Sequence, residues 1–317
     1  MDITVIGSAI IDILARPVSA RVFESGSEPA EDIKLSYGGD ACNEAVALSR
    51  LGKNISLISV LGDDEAGRMV LSYLSQNGVD TSAVTIRPDI STSINLVLID
   101  SHGERSFITD PNSSLRRLSE EMILAKLENM AGIVSFASLF VSHALSMSAQ
   151  HRVYKAIKER PGKTILTTDV TKPKHGETLS DIAGFLPYLD VVFANDAEAA
   201  LLTGNPDPDA NARSIVAAGA SCAVIKTGSR GCSICYGNTP VSLQIPAVPG
   251  IQCVDTTGAG DCFAAGFLYA LSEGMSYDDC ARFGCAAASC SIETVGATEG
   301  LRSLDTVYSR FRLLKDA

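Results

Sequence analysis

The chain is organised around Asp255-Thr-Thr-Gly-Ala-Gly-Asp261, which runs without a break into the apolar stretch Cys262-Phe-Ala-Ala-Gly-Phe-Leu-Tyr-Ala270. A run that is apolar on every face reads as a buried helix. Gly258 and Gly260 let the backbone turn sharply just before it with the amides pointing outward. Those amides stand at a helix N-terminus, where unpaired donors and the positive end of the macrodipole attract an anion. Asp261 adds a carboxylate in the first helical turn. A glycine turn followed by an acid is, by itself, equally well read as a capped helix start. The two threonines and the acid at each end favour a site where an anion hole sits beside a carboxylate base, as transfer of a phosphoryl group to a hydroxyl requires.

The rest of the chain alternates. Apolar segments at 3–7, 55–60, 132–137, 164–168, 191–194 and 223–226 read as strands, with helical patterns between them at 38–52 and 65–77 and from 120 onward. Strands at that spacing imply an α/β fold with a mostly parallel sheet covered by helices on both faces. Ile234–Tyr236 and the segment 241–245, joined by Gly-Asn, read as a hairpin. Two helix-poor stretches, about 12–38 and 84–110, fall between helical units, with short strands at 84–87, 94–100 and 105–108. They are expected to pair into a small β lid on a single domain spanning 1–317.

At 317 residues the chain can bury a large core. Its net charge of −11 argues against a nucleic-acid or anionic-membrane surface. No uninterrupted apolar stretch reaches the roughly 18–20 residues needed to span a bilayer. With no basic and apolar leader pattern at its start, the expected location is cytoplasmic. The nine cysteines are scattered and odd in number, which suggests reduced thiols. Cys232-Ser-Ile-Cys235 is a CxxC pair, but no second pair and no nearby histidine accompany it, so small core residues are expected there.

Further polar clusters fall at strand ends. Gly38-Gly39-Asp40-Ala41-Cys42-Asn43 is a second glycine turn entering a helix, where a polyhydroxy ligand can approach backbone and Asn43 offers both donor and acceptor. Asp12 follows the first strand, at the edge where open α/β sheets bind ligands. Asn195-Asp-Ala-Glu198 combines a capping pattern with oxygen donors suited to hydrated Mg²⁺. Lys226-Thr-Gly-Ser-Arg-Gly231 is a polar loop fit for phosphate or ribose. Neither a Walker motif nor GxGxxG is present.

Taken together, Gly38–Ala45 with Gly52 and Gly62, and Asp255–Gly266, resemble the two signatures of the ribokinase (PfkB) family of carbohydrate kinases, in the right order and over essentially the whole chain. The resemblance implies a ribokinase-like fold with a β-sheet lid, and transfer of the γ-phosphoryl group of ATP to a hydroxyl of a small sugar. It implies Asp261 as base and the amides of Gly258, Ala259 and Gly260 as anion hole. Asp12, Gly38, Gly39 and Asn43 would bind the sugar, and Arg105, in Gly103-Glu-Arg-Ser-Phe107, would approach phosphate or substrate. Asn195 and Glu198 would act on Mg²⁺ through water, and Thr227, Gly228, Ser229 and Gly231, with Asn195, would line the ATP site. Asp255, Thr257, Ser291 and Gly296 match positions that hold potassium in many members, and the lid suggests a homodimer. Asp40 stands where ribokinases usually carry lysine, and Ser135-Phe-Ala-Ser138 lacks their glutamate, so ribose, fructose and other ketosugars all stay open as acceptors. Two alternatives are an adenosine-like nucleoside kinase, for which Phe23, Phe107, Phe136 and Phe140 would supply a wall, and a sugar-binding sensor without catalysis.

Overall fold

A computed structural model describes residues 1–237 and 241–316. Among these residues, nine strands form one sheet in the order Leu243–Ile245, Cys232–Tyr236, Cys222–Lys226, Val191–Asn195, Ile165–Val170, Ile133–Leu139, Ile3–Ile6, Ile55–Ile58 and Val79–Asp80. The seven from Cys222–Lys226 to Val79–Asp80 pair in parallel, and the first two add an antiparallel edge. Ile3–Ile6 and Ile55–Ile58 are buried at every position. Full burial on both faces is what helices covering both sides of a parallel sheet impose. One core lies between the sheet and the helices Asp40–Arg50, Ala259–Ser272, Tyr277–Ser291 and Leu304–Lys315; the other lies under Met147–Lys158 and its neighbours. The parallel strands deliver their C-terminal ends to one edge, where ligands of open α/β sheets bind.

A separate four-stranded sheet has the order Asp32–Gly38, Ile10–Arg16, Ile94–Ile99 and Arg105–Thr109. Its register divides the side chains between two faces. Leu35, Ile13, Leu96 and Ile108 lie in one cross-strand row, whereas Asp12 stands opposite Asn95, and Val97 opposite Phe107, on the other face. Ile33, Leu35, Ile94, Leu96 and Ile108 are exposed apolar residues of the first face.

The structure departs from the sequence expectations in four places. Thr85–Arg87 does not join the small sheet; it pairs in parallel with Val60–Gly62 as a two-stranded sheet of its own. The stretch 12–38, expected in the lid without any assigned strand, contains most of Ile10–Arg16, the strand Asp32–Gly38 and a one-turn helix, Val22–Ser25. The second hairpin strand begins at Leu243, and Asn238 of the expected turn lies outside the described residues. Asp12 lies inside the strand Ile10–Arg16 of the small sheet rather than at the edge of the parallel sheet. Cys232 and Cys235 are buried in different cores, on opposite faces of their strand, so they do not form a common metal or redox site. No described helix is long and apolar enough to cross a membrane.

Candidate active site

Gly258 is the N-cap of the helix Ala259–Ser272 and sits in the left-handed region at φ 68°. A Cβ there would lie 2.4 Å from the Ala297 carbonyl oxygen, so only glycine fits. The first helical bond runs from the Cys262 N–H to the Gly258 carbonyl at 2.8 Å. The N–H groups ahead of it have no partner in the helix ladder. One of them, Ala259 N–H, donates back to Thr256 at 3.2 Å and closes the turn. Of the three expected anion-hole amides, that of Ala259 is therefore engaged within the turn.

The other glycine turn meets this one. Gly39 has φ 92°, and a Cβ on it would lie 2.5 Å from the Ser8 carbonyl oxygen, which presses the start of Asp40–Arg50 against the end of the first strand. That helix carries Asn43 inward, and Asn43 Nδ2 donates to Asp261 Oδ2 at 2.7 Å across 218 residues of sequence. Asp12 packs over Gly38 and accepts from Asn95 Nδ2 at 3.0 Å. Asp12, Gly38, Gly39, Asn43 and Asp261 thus converge between the two sheets.

A cleft of about 710 Å³ opens on the opposite side of Asp261. Asp40, Asp169, Asn195, Glu198 and Lys226 line its polar end, with Gly228, Ser229 and Gly231 beside them. Thr227 lies behind this surface; its N–H donates to Gly231 at 2.8 Å, and its buried hydroxyl has no partner among the described residues. Val248, Ile251, Cys253, Cys285, Ala288 and Ile292 form the apolar end. This second half was not read from the sequence, although Cys285, Ala288 and Ile292 recur at helical spacing.

Asp169, missed as a site member, and Lys226, read only as the start of the polar loop, form an ion pair at the centre, with side chains 10% and 14% exposed. Lys226 Nζ would lie 3.3 Å from a Cβ on Gly260, which places the ammonium against the anion turn. Around it stand Asp40, Glu198 and Asp261, so buried carboxylates outnumber the cation. Burial, and then the charge on Asp40, pushes Asp261 up to about 8 against the opposing bond from Asn43. Burial also raises Glu198, to about 7, although the Asn195 N–H opposes the shift. Asp40 is raised by burial and by Asp169. Burial alone lowers the Lys226 ammonium, but Asp169, Glu198 and Asp261 outweigh it and the net shift is upward.

Asn195 and Glu198 form a reciprocal capping box at the start of Asp196–Thr203, each side chain accepting from the other's N–H at 2.8 and 2.9 Å. This box uses Glu198 Oε2 and leaves the carboxylate at the cleft. Among the described residues no three carboxylate, histidine or cysteine side chains are grouped to ligate a metal directly, so a divalent cation at this polar end would be held through its water shell. The donor set expected for potassium is different. Asp255 Oδ1 accepts from Thr257 N (3.0 Å), Thr257 Oγ1 (2.6 Å) and Arg105 Nη2 (2.8 Å), and Oδ2 accepts from Gly296 N at 3.1 Å. Ser291 donates back to Ala288 in its own helix at 2.9 Å. Asp255, Thr257 and Gly296 are together, but the carboxylate is already occupied by donors, one of them cationic. The residues as placed do not fit an alkali ion. The aromatic wall is likewise not assembled: Phe136 and Phe140 are buried, whereas Phe23 and Phe107 are 81% and 61% exposed.

Residues 1–304 match the model of the pfkB family carbohydrate kinases. The chain belongs to that family. It is a phosphotransferase with an alcohol group as acceptor. It is 28% identical to the ribokinase of Haemophilus influenzae over 94% of both chains, and 27% identical to fructokinase-2 of Oryza sativa over 83% of this chain and 77% of that protein. Its fold superposes on Arabidopsis thaliana ribokinase, solved in complex with ribose and ATP, with a TM-score of 0.80 at 24% identity over 98% of each chain.

Proposed function

We propose that this kinase transfers the γ-phosphoryl group of ATP to a hydroxyl of a small ribose-, fructose- or ketosugar-like acceptor, with Asp261 as the base. The bond from Asn43 to Asp261 carries this reading, because it joins the acceptor side and the anion turn at a single carboxylate. A sugar held by Asp12, Gly39 and Asn43 presents a hydroxyl to Asp261. As that oxygen bonds to the γ-phosphorus, the bond to the β–γ bridging oxygen breaks, ADP leaves and the hydroxyl proton passes to Asp261. The amides of Gly258 and Gly260 face the charge spread over the transferring group, and Lys226 adds a fixed positive charge beside them. Gly228, Ser229 and Gly231 hold the phosphates, while Val248, Ile251, Ala288 and Ile292 receive the adenine. Asn195 and Glu198 would hold Mg²⁺ through water. When bound, that ion neutralises phosphate charge.

The small sheet acts as the lid, with Asp12 and Arg105 on its inner face. Its outer row of Ile33, Leu35, Ile94, Leu96 and Ile108 supports a homodimer through that face, which sedimentation equilibrium tests. The function itself is tested by ADP formation from Mg·ATP across pentoses, hexoses, ketosugars, sugar acids and nucleosides. Turnover of a sugar supports the reading. Turnover of nucleosides alone, or sugar binding without turnover, contradicts it.

A further inference from the structure

Arg105 lies on the strand Arg105–Thr109, at the edge of the small sheet, yet its guanidinium reaches the main body and pairs with Asp255 at 2.8 Å. The Arg105 side chain is 32% exposed and that of Asp255 12%, so this charge-assisted contact is open to solvent on the arginine side and covered on the carboxylate side. Asp255 is the residue on which three segments meet: the small sheet through Arg105, the anion turn through the N–H and hydroxyl of Thr257, and the loop after Tyr277–Ser291 through the Gly296 N–H. Thr257 directly precedes Gly258, so a shift of Asp255 is transmitted to the amides that face the phosphoryl group. On its inner side Arg105 also lies within electrostatic reach of Asp12. One guanidinium therefore spans the acceptor site and the anchor of the anion turn.

We propose that Arg105 is a positioning residue that supplies, at Asp255, the fixed positive charge an alkali ion would otherwise provide, and so locks the anion turn when the small sheet lies over the acceptor. A guanidinium and an alkali ion cannot share the same carboxylate oxygen without strong like-charge repulsion. The proposal rests on the kinase reading above.

The experiment compares wild type, Arg105→Lys, Arg105→Gln, Asp255→Asn and the Arg105→Gln/Asp255→Asn double variant in potassium, sodium and tetramethylammonium chloride at equal ionic strength. Thermal melting and, with an accepted sugar, kcat and KM are read for each. The wild type should melt and turn over alike in all three salts. Arg105→Gln should lose about ten- to a hundredfold in kcat in tetramethylammonium, with a smaller change in KM for the sugar. Potassium should then restore part of kcat and raise its melting temperature. Lysine should retain more activity than glutamine, and the double variant should be no slower than Asp255→Asn. Potassium activation or stabilisation of the wild type as large as that of Arg105→Gln overturns the proposal, as does an effect confined to KM. If no sugar is turned over at all, the kinase reading has failed, and the melting comparison still decides whether Arg105 and potassium compete.

Discussion

Glu44 offers a quantitative test of how this site handles protons. It follows Asn43 on Asp40–Arg50, is 1% exposed, and one of its carboxyl oxygens has no hydrogen-bond partner among the described residues. Burial is the main cause that lifts it from its ordinary 4.5 to about 8, with Asp169 and Asp261 adding to the shift. In the folded protein Glu44 therefore keeps its proton up to about pH 8, whereas the unfolded chain releases it near 4.5. Between those values unfolding releases a proton, so stability falls as pH rises. The gap of about 3.5 pH units, at about 1.36 kcal/mol each, sets a ceiling of about 5 kcal/mol, reached at pH 8 and above and absent below 4.5. Glu44→Gln keeps the shape and removes the titration. By calorimetry the variant should match the wild type at pH 4.5 and melt progressively higher up to pH 8. At a typical unfolding entropy of about 2.1 cal/mol/K per residue, the difference at pH 8 is at most about 7 °C. Raised carboxyls that do not interact with Glu44 cancel in the difference, and the action of Asp169 and Asp261 on it is already contained in the value of about 8. A melting difference that stays constant from pH 4.5 to 8 refutes the reasoning.

Other perturbations separate the parts of the site. As the proposed base, Asp261 would have to be ionised to accept a proton, and its pKa is raised, so kcat/KM should rise with pH through the neutral range towards about 8; a profile flat from pH 6 to 8 contradicts this. Gly258→Ala places a Cβ against Ala297 in a left-handed turn, and should cost about 1–3 kcal/mol of stability by denaturant melting together with most of the turnover. Lys226→Met leaves Asp169 buried without its partner and should destabilise by about 3–5 kcal/mol, most of it recovered when Asp169→Leu is added. Additive losses in that double variant contradict the pairing.

Both glycine turns were legible in the sequence, because a glycine pair followed by a helical run admits few backbone paths. The parallel sheet was legible as well, because its strands are apolar on both faces. The lid was only partly so. Propensity identifies 84–87 as strand but does not reveal its partner, and Val60–Gly62 takes it instead of the small sheet. Asp32–Gly38 escaped notice because its apolar residues, Ile33 and Leu35, face outward in a polar context. The pairing of Asp169 with Lys226 escaped for a different reason. The two are brought together by strand register, with Asp169 level with Phe193 and Lys226 level with Asn195, and no local pattern encodes that alignment. The contact between Arg105 and Asp255, 150 residues apart, was unreadable on the same ground.

The proposed base is Asp261. Its most direct test is single-turnover ADP formation by Asp261→Asn with an accepted sugar, alongside calorimetric titration of ATP. The predicted result is ATP affinity within about threefold of wild type and a transfer rate reduced by about a hundredfold to ten-thousandfold. A transfer rate within a few fold of wild type would show that another group takes the proton, and the mechanism built on this carboxylate would be wrong.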